Sequence, residues 1–199
     1  MKTSLARTFE ALSATNEAIL YAKSAAELYE KVCGAAFSSG DFLATAVFLL
    51  ERDSNLLRFA AGFGEDIVRL RGIDITTVAG TPEGSGVCGR AFRDQKLCIS
   101  NDYINDAHST AWRHGARAAE VGAAAALPLI CNGRSVGVLL VTRREAHSLD
   151  AQMVSLLERM SANISFALDN FERAEEKARA DEQKERLSRM FGVRWRNLR

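Results

Sequence analysis

The chain is poor in several things at once: two prolines and three histidines in 199 residues, and almost no net charge, with 26 Lys and Arg against 25 Asp and Glu. A balance of +1 gives no global field to draw the protein onto nucleic acid or an anionic membrane. Close cysteine pairs are missing too. Cys33, Cys88, Cys98 and Cys131 lie 55, 10 and 33 residues apart, which fits neither a zinc site nor a thioredoxin-type motif. They are expected to be reduced, small buried hydrophobes, and neither metal nor cofactor is expected. Long apolar runs are absent as well. The longest, at 45–50 and 121–130, fall far short of the ~18 to 20 residues of a membrane helix. The start Met1-Lys2-Thr3-Ser4 leads into mixed residues without the apolar stretch of a secretory signal, so a cytoplasmic protein with no membrane partner is expected.

What is there reads as one compact domain with helical extensions. Leu5, Phe9, Leu12, Asn16 and Ile19 recur at spacings of four and three, one stripe of a first helix. A second helix follows the N-cap candidate Ser24 and ends at Ser38-Ser39-Gly40. The texture then turns to short strands: 45–50 and 56–60 around the turn Arg52-Asp-Ser-Asn55, a strand within 69–78, and another at 96–100. Residues 101–120 read as a long, partly helical loop. The runs 121–130 and 135–141 flank Asn132-Gly133, the dipeptide that most easily supplies the two positive φ angles of a type I′ turn.

From Leu149 to about Phe191 a single helix is expected, started by Ser148 or Asp150. Met153, Leu157, Met160, Ile164, Ala167, Phe171, Ala174 and Ala178 alternate spacings of four and three, the form of a coiled-coil or bundle seam that wants a partner helix. Leu5-Ala-Arg-Thr-Phe9 is echoed by Leu187-Ser-Arg-Met-Phe191 at an offset of 182, as if the closing helix opened a following domain. The whole is expected to be α+β on a mostly antiparallel sheet.

Few motifs carry chemistry. Gly84-x-Gly86-x-x-Gly89 spells a dinucleotide fingerprint but lacks the preceding strand and the full crossover helix, so its glycines are expected to allow a tight turn against the sheet. The loop 101–114 gathers Tyr103, His108, Trp112, Arg113 and His114, the composition of a binding loop. Arg186, Arg189, Arg194, Arg196 and Arg199 form a basic tail, read as solvated rather than as a nucleic-acid site.

The Gly-rich turn Gly86-Val-Cys-Gly-Arg-Ala-Phe92, the strand Leu97-Cys-Ile-Ser-Asn-Asp102 and the hairpin Ala125-Ala-Leu-Pro-Leu-Ile130 with Gly133-Arg-Ser-Val-Gly-Val-Leu140 together resemble a GAF domain, over about residues 25–170. The segment Asn105-Asp-Ala-His-Ser-Thr-Ala-Trp-Arg113 looks like the corresponding loop of GAF domains upstream of diguanylate cyclase, phosphodiesterase or kinase modules in bacterial signalling proteins. The resemblance implies a six-stranded antiparallel sheet with the N- and C-terminal helices on one face and a ligand pocket on the other. It divides the chain into an N-terminal dimerisation helix at 1–22, the GAF domain at 23–170, and a C-terminal signalling helix and tail at 171–199, with a covalently linked output domain beyond it.

By the same resemblance, an unidentified small molecule is expected at Cys88, Asp102, Tyr103, His108, Trp112 and Arg113. A homodimer is expected through Leu5, Phe9, Leu12, Ile19, Met153, Leu157, Met160, Ile164 and Phe171. The implied function is a non-catalytic sensor in cyclic-di-GMP-type signalling, not an enzyme. The family's cyclic-nucleotide signature and the Cys-His dipeptide of its bilin-binding members are absent, and a haem relative would use His108 or His114 as axial ligand. The alternatives are a structural dimerisation module without ligand and a GAF-type free methionine sulfoxide reductase, for which Cys88 and Cys98 are the available pair.

Overall fold

The computed structural model describes the backbone of residues 4–39, 42–65 and 67–196, and the side chains of 10, 12–38, 42–65 and 67–189. Two helices lead, α1 (Ser4–Tyr21) and α2 (Ala25–Ser39). The Ser24 hydroxyl accepts the Glu27 N–H at 3.2 Å, the side-chain cap that starts α2. Strands β1 (Ala44–Leu50) and β2 (Leu56–Gly64) form the first hairpin, turning at Asp53 with φ 59°.

The strand expected within 69–78 is the two-residue β3 (Ile75–Thr76), and a short helix α3 (Ile67–Arg71) precedes it. Helices α4 (Pro82–Ser85) and α5 (Val87–Asp94) follow, then β4 (Cys98–Ser100). The long loop carries a 3-10 turn at Ala107–Ser109 and helix α6 (Arg113–Ala118). The second hairpin joins β5 (Ala123–Cys131) to β6 (Arg134–Arg143) through Asn132 at φ 50° and Gly133 at φ 73°, the left-handed pair that the Asn-Gly dipeptide predicts. The 46-residue α7 (Ala151–Arg196) closes the chain, with the Asp150 carboxylate accepting the Met153 N–H at 2.9 Å.

The six strands form one antiparallel sheet in the order β3-β2-β1-β6-β5-β4. Period-two alternation splits its side chains between two cores. Ala123, Ala125, Leu127 and Leu129 of β5, with Leu139 and Val141 of β6, meet Leu28 and Val32 of α2 and the inner stripe of α7. Ala124, Ala126, Val138 and Leu140 face the other way, toward Phe48, Leu57, Ile75, Val87 and Ala91. Both faces of β5 are covered, which is why its sequence runs apolar without alternation.

The α7 seam finds a different partner from the one expected. Met153, Leu157, Met160 and Ile164 are 0 to 5% exposed in the core under the chain's own sheet, and Leu12, Ile19 and Phe171 pack half-buried around the same cluster. Of the residues expected at a dimer interface, the first four are thus buried within one chain, while Leu12, Ile19 and Phe171 are only partly covered. A 3.5-residue repeat drifts only ~20° per heptad from the 3.6-residue stripe of a helix lying on a sheet, so over five turns the two look alike. Leu5 and Phe9 belong to α1, but their side chains lie outside the described residues, as do those of Arg194, Arg196 and Arg199.

Candidate functional site

On the sheet face opposite α2 and α7, a cavity of about 340 Å³ opens between the sheet and the segment 65–121. Its floor is Ala44 of β1, Ala124 of β5 and Leu140 and Thr142 of β6. Leu70 and Ile73 close one side, Val87 and Cys88 of α5 the back, and Tyr103, Trp112, Ala116, Ala119 and Val121 the remaining wall.

Three close approaches build this wall. A Cβ on Gly86 would lie 2.4 Å from Trp112 Cζ3, so the indole rests where any other residue would put a side chain. A Cβ on Gly84 would meet the Val78 carbonyl oxygen at 1.9 Å, and one on Gly89 the Gly84 carbonyl oxygen at 2.4 Å. The glycine motif thus serves packing: it lets α4 and α5 sit against β3 and the loop, and no phosphate cradle is needed to explain it.

The loop that carries Tyr103 and Trp112 is tied down by its own polar residues. Asp106 accepts the His108 N–H at 2.8 Å, which caps the 3-10 turn. Arg113 donates from Nη2 to the Asp106 carbonyl oxygen at 3.0 Å, and the Asp102 carboxylate accepts both of its hydrogen bonds from Asn105 Nδ2, at 2.9 and 3.1 Å. Asn101 clasps Leu149 through two bonds of 3.0 Å, fixing the loop to a point two residues before α7.

Of the six residues expected at the ligand, Cys88, Tyr103 and Trp112 line the cavity together. Asp102, His108 and Arg113 do not: the Asp102 and Arg113 side chains bond within the loop, and the His108 side chain is exposed. His114, which the sequence places in the binding loop and offers as a haem ligand but not among those six, does line the cavity, at its exposed edge. The apolar liners Leu70, Ile73, Ala111, Ala116 and Ala119 carry no sequence signal that separates them from ordinary core.

Electrostatically the interior is neutral. Burial pushes the Cys88 thiol up to about 12, with the neighbouring Cys98 adding to the effect, and it raises the Tyr103 hydroxyl well above its ordinary range. The Cys98 thiol is raised as well, again chiefly by burial. The Thr142 hydroxyl is spent on the Ala44 carbonyl at 3.3 Å. The charged or basic liners Glu65, Arg69 and His114 are all exposed at the rim. Arg144 binds Glu65 at 2.8 Å, and Arg69 reaches from α3 to the Gly115 carbonyl of α6 at 3.5 Å, bridging the mouth. No group of three or more His, Cys, Asp or Glu that could hold a metal ion occurs among the described residues.

Behind the sheet, α7 reads the end of β5 with three polar side chains one turn apart. Ser161 Oγ donates to the Pro128 carbonyl at 2.7 Å, Ser165 Oγ accepts the Ile130 N–H at 3.0 Å, and Asp169 accepts the Asn132 N–H at 2.7 Å. They span the irregular register at Leu129 and Ile130, where backbone groups would otherwise lack partners.

Comparison with known proteins fits this architecture. The family profile described as GAF domain matches residues 22–169. The chain belongs to the GAF family. No curated protein matches the sequence. Among solved structures, the free methionine-R-sulfoxide reductase of Neisseria meningitidis, in complex with its substrate, superposes with a TM-score of 0.72 at 16% identity, over 87% of this chain and 95% of that one. The reduced form of the Staphylococcus aureus fRMsr gives 0.65 at 17% identity over 81% and 94%. The GAF domain of an Acinetobacter phosphoenolpyruvate-protein phosphotransferase gives 0.65 at 11% identity over 88% and 99%. Likeness at this identity establishes a shared fold, and function has to be argued from the site. No described helix of this GAF domain is long and apolar enough to cross a membrane.

Proposed function

We propose that this GAF domain is a non-catalytic regulatory sensor: a small molecule enters the cavity, and its occupancy is passed through α7 to an output domain such as a diguanylate cyclase. The observation that carries the reading is the open-mouthed, mainly apolar cavity of about 340 Å³ with two aromatic residues in its wall, a size within the range of small-molecule sites. The loop that forms the wall is hydrogen-bonded to Leu149, beside the start of α7, and β5 is bonded to α7 along two further turns. A ligand that favours one setting of loop and strand therefore biases the setting of the helix.

The signalling unit in this reading is a cytoplasmic homodimer. With the inner stripe of α7 covered by the sheet, pairing falls to the outer face, where Phe166 is 65% exposed. Native mass spectrometry of the purified chain tests both parts. A dimer carrying added small-molecule mass, lost in Trp112→Ala, is the expected result; a dimer with no added mass and no thermal shift from any compound in a metabolite screen would overturn the reading in favour of a structural dimerisation module, and a monomer would overturn the dimeric signalling unit.

The reductase alternative has one observation in its favour, Cys88 in the cavity wall of a fold that free methionine-R-sulfoxide reductases share. Against it, reduction of a sulfoxide needs a thiolate, and burial keeps Cys88 and Cys98 protonated. Turnover of free methionine-R-sulfoxide that disappears in Cys88→Ser would decide for the enzyme.

A further inference from the structure

The cavity's unpaired polar atoms define the chemistry of its occupant, an inference that rests on the sensor reading above. The Tyr103 hydroxyl and the Trp112 indole N–H make no hydrogen bond with protein among the described residues, although both side chains are half-buried and line the cavity. Neither atom is fully buried, so each donor is open to an acceptor, and one supplied by a ligand against these largely apolar walls counts for more than it would in bulk water. The other interior polar groups add no strong donor: the Thr142 hydroxyl has given its proton to Ala44, and the Cys88 thiol is a weak donor.

No opposite charge waits inside. Glu65, Arg69 and His114 sit at the exposed mouth, the first two already engaged with Arg144 and with Gly115. A carboxylate or phosphate seated among Leu70, Ile73, Val87 and Leu140 would surrender its hydration without a partner. A zwitterion would do so twice. We propose that the cavity takes a neutral, mainly apolar ligand bearing a hydrogen-bond acceptor, of the aryl-ketone or heteroaromatic class, and excludes carboxylates, phosphates and amino acids. The aromatic body lies against Trp112 and the aliphatic wall, and the acceptor meets Tyr103 and Trp112.

Three probes of nearly equal shape test this by calorimetry on the full chain: 2-acetylnaphthalene, its carboxylate isostere 2-naphthoate, and 2-ethylnaphthalene, which has no acceptor. The ketone is expected to bind at least about thirtyfold more tightly than the carboxylate, the minimum a charge buried without a partner should cost. In nitrogen-15 spectra the Trp112 indole N–H resonance should move on addition of the ketone. Tyr103→Phe keeps the ring and removes the donor, so it should weaken the ketone by about three- to tenfold, with 2-ethylnaphthalene unchanged.

Naphthoate binding as tightly as the ketone would overturn the neutral-ligand assignment and leave a sensor pocket for anions standing. Equal weakening of ketone and hydrocarbon in Tyr103→Phe would overturn the acceptor assignment. Failure of all three probes up to their solubility limits, with the Trp112 resonance unmoved, would overturn the aryl-ligand assignment, whereas the sensor reading itself falls only if no compound of the metabolite screen shifts the melting temperature.

Discussion

At the scale of single residues, the site depends on atoms that are missing. Gly84 leaves room for the Val78 carbonyl, and Gly86 leaves room for the Trp112 ring. Gly84→Ala forces a backbone shift, with an expected loss of about 1–3 kcal/mol in urea unfolding. Gly86→Ala presses on a side chain instead and drives the indole toward the cavity, so a weaker response to any cavity ligand is expected at smaller cost in stability. The buried acids give a pH signature. Burial moves the Cys33 and Cys88 thiols from 9.0, and the Tyr29 hydroxyl from 10.0, up to about 12. Folding therefore holds these protons more tightly than the unfolded chain does. The associated stability is fully present below about pH 9 and drains away as pH rises toward 12, by up to about 1.4 kcal/mol per pH unit for each group. The urea midpoint should fall steadily above pH 9, less steeply in Cys33→Ala.

At the scale of elements, the Ser161, Ser165 and Asp169 series fixes α7 against β5. Ser165→Ala leaves the Ile130 N–H without its acceptor, and the expected cost is about 1–3 kcal/mol, with faster hydrogen exchange at that amide. Leu157→Ala, in the core on the same helix, should cost about 2–5 kcal/mol. Much of this layer is legible in the chain. The Asn132-Gly133 turn, the doubly covered β5 run and the uninterrupted closing helix all read directly, because turn geometry and periodicity are local properties. The partner of the α7 seam is not legible, since Met153, Leu157, Met160 and Ile164 would look the same facing a second helix or a sheet. Nor is the inside of the site. Asp102, His108 and Arg113 share a polar loop with Tyr103 and Trp112, and composition carries no record of which side chains turn inward and which bind their own backbone. Leu70, Ile73 and Ala116 line a cavity and yet read as core, because a void is a property of three dimensions that no residue carries alone.

At the scale of the whole molecule, α7 belongs to two worlds. As far as Phe171 it is part of the domain, whereas residues 173–189 are exposed on every side. Ending the chain after residue 172 should leave the calorimetric Tm within a few degrees of the intact protein, while sedimentation of both forms tests whether the proposed pairing depends on the distal helix; a large fall in Tm would show that the distal helix supports the fold. The helix is about 69 Å long at 1.5 Å per residue. Its last bond to the sheet is at Asp169, roughly 40 Å from Arg196 along the axis. That makes it a lever with its fulcrum at β5: a tilt of about 5° there, the work of less than an ångström of strand movement across one helical turn, sweeps the far end through about 3.5 Å, ample to break or make side-chain contacts.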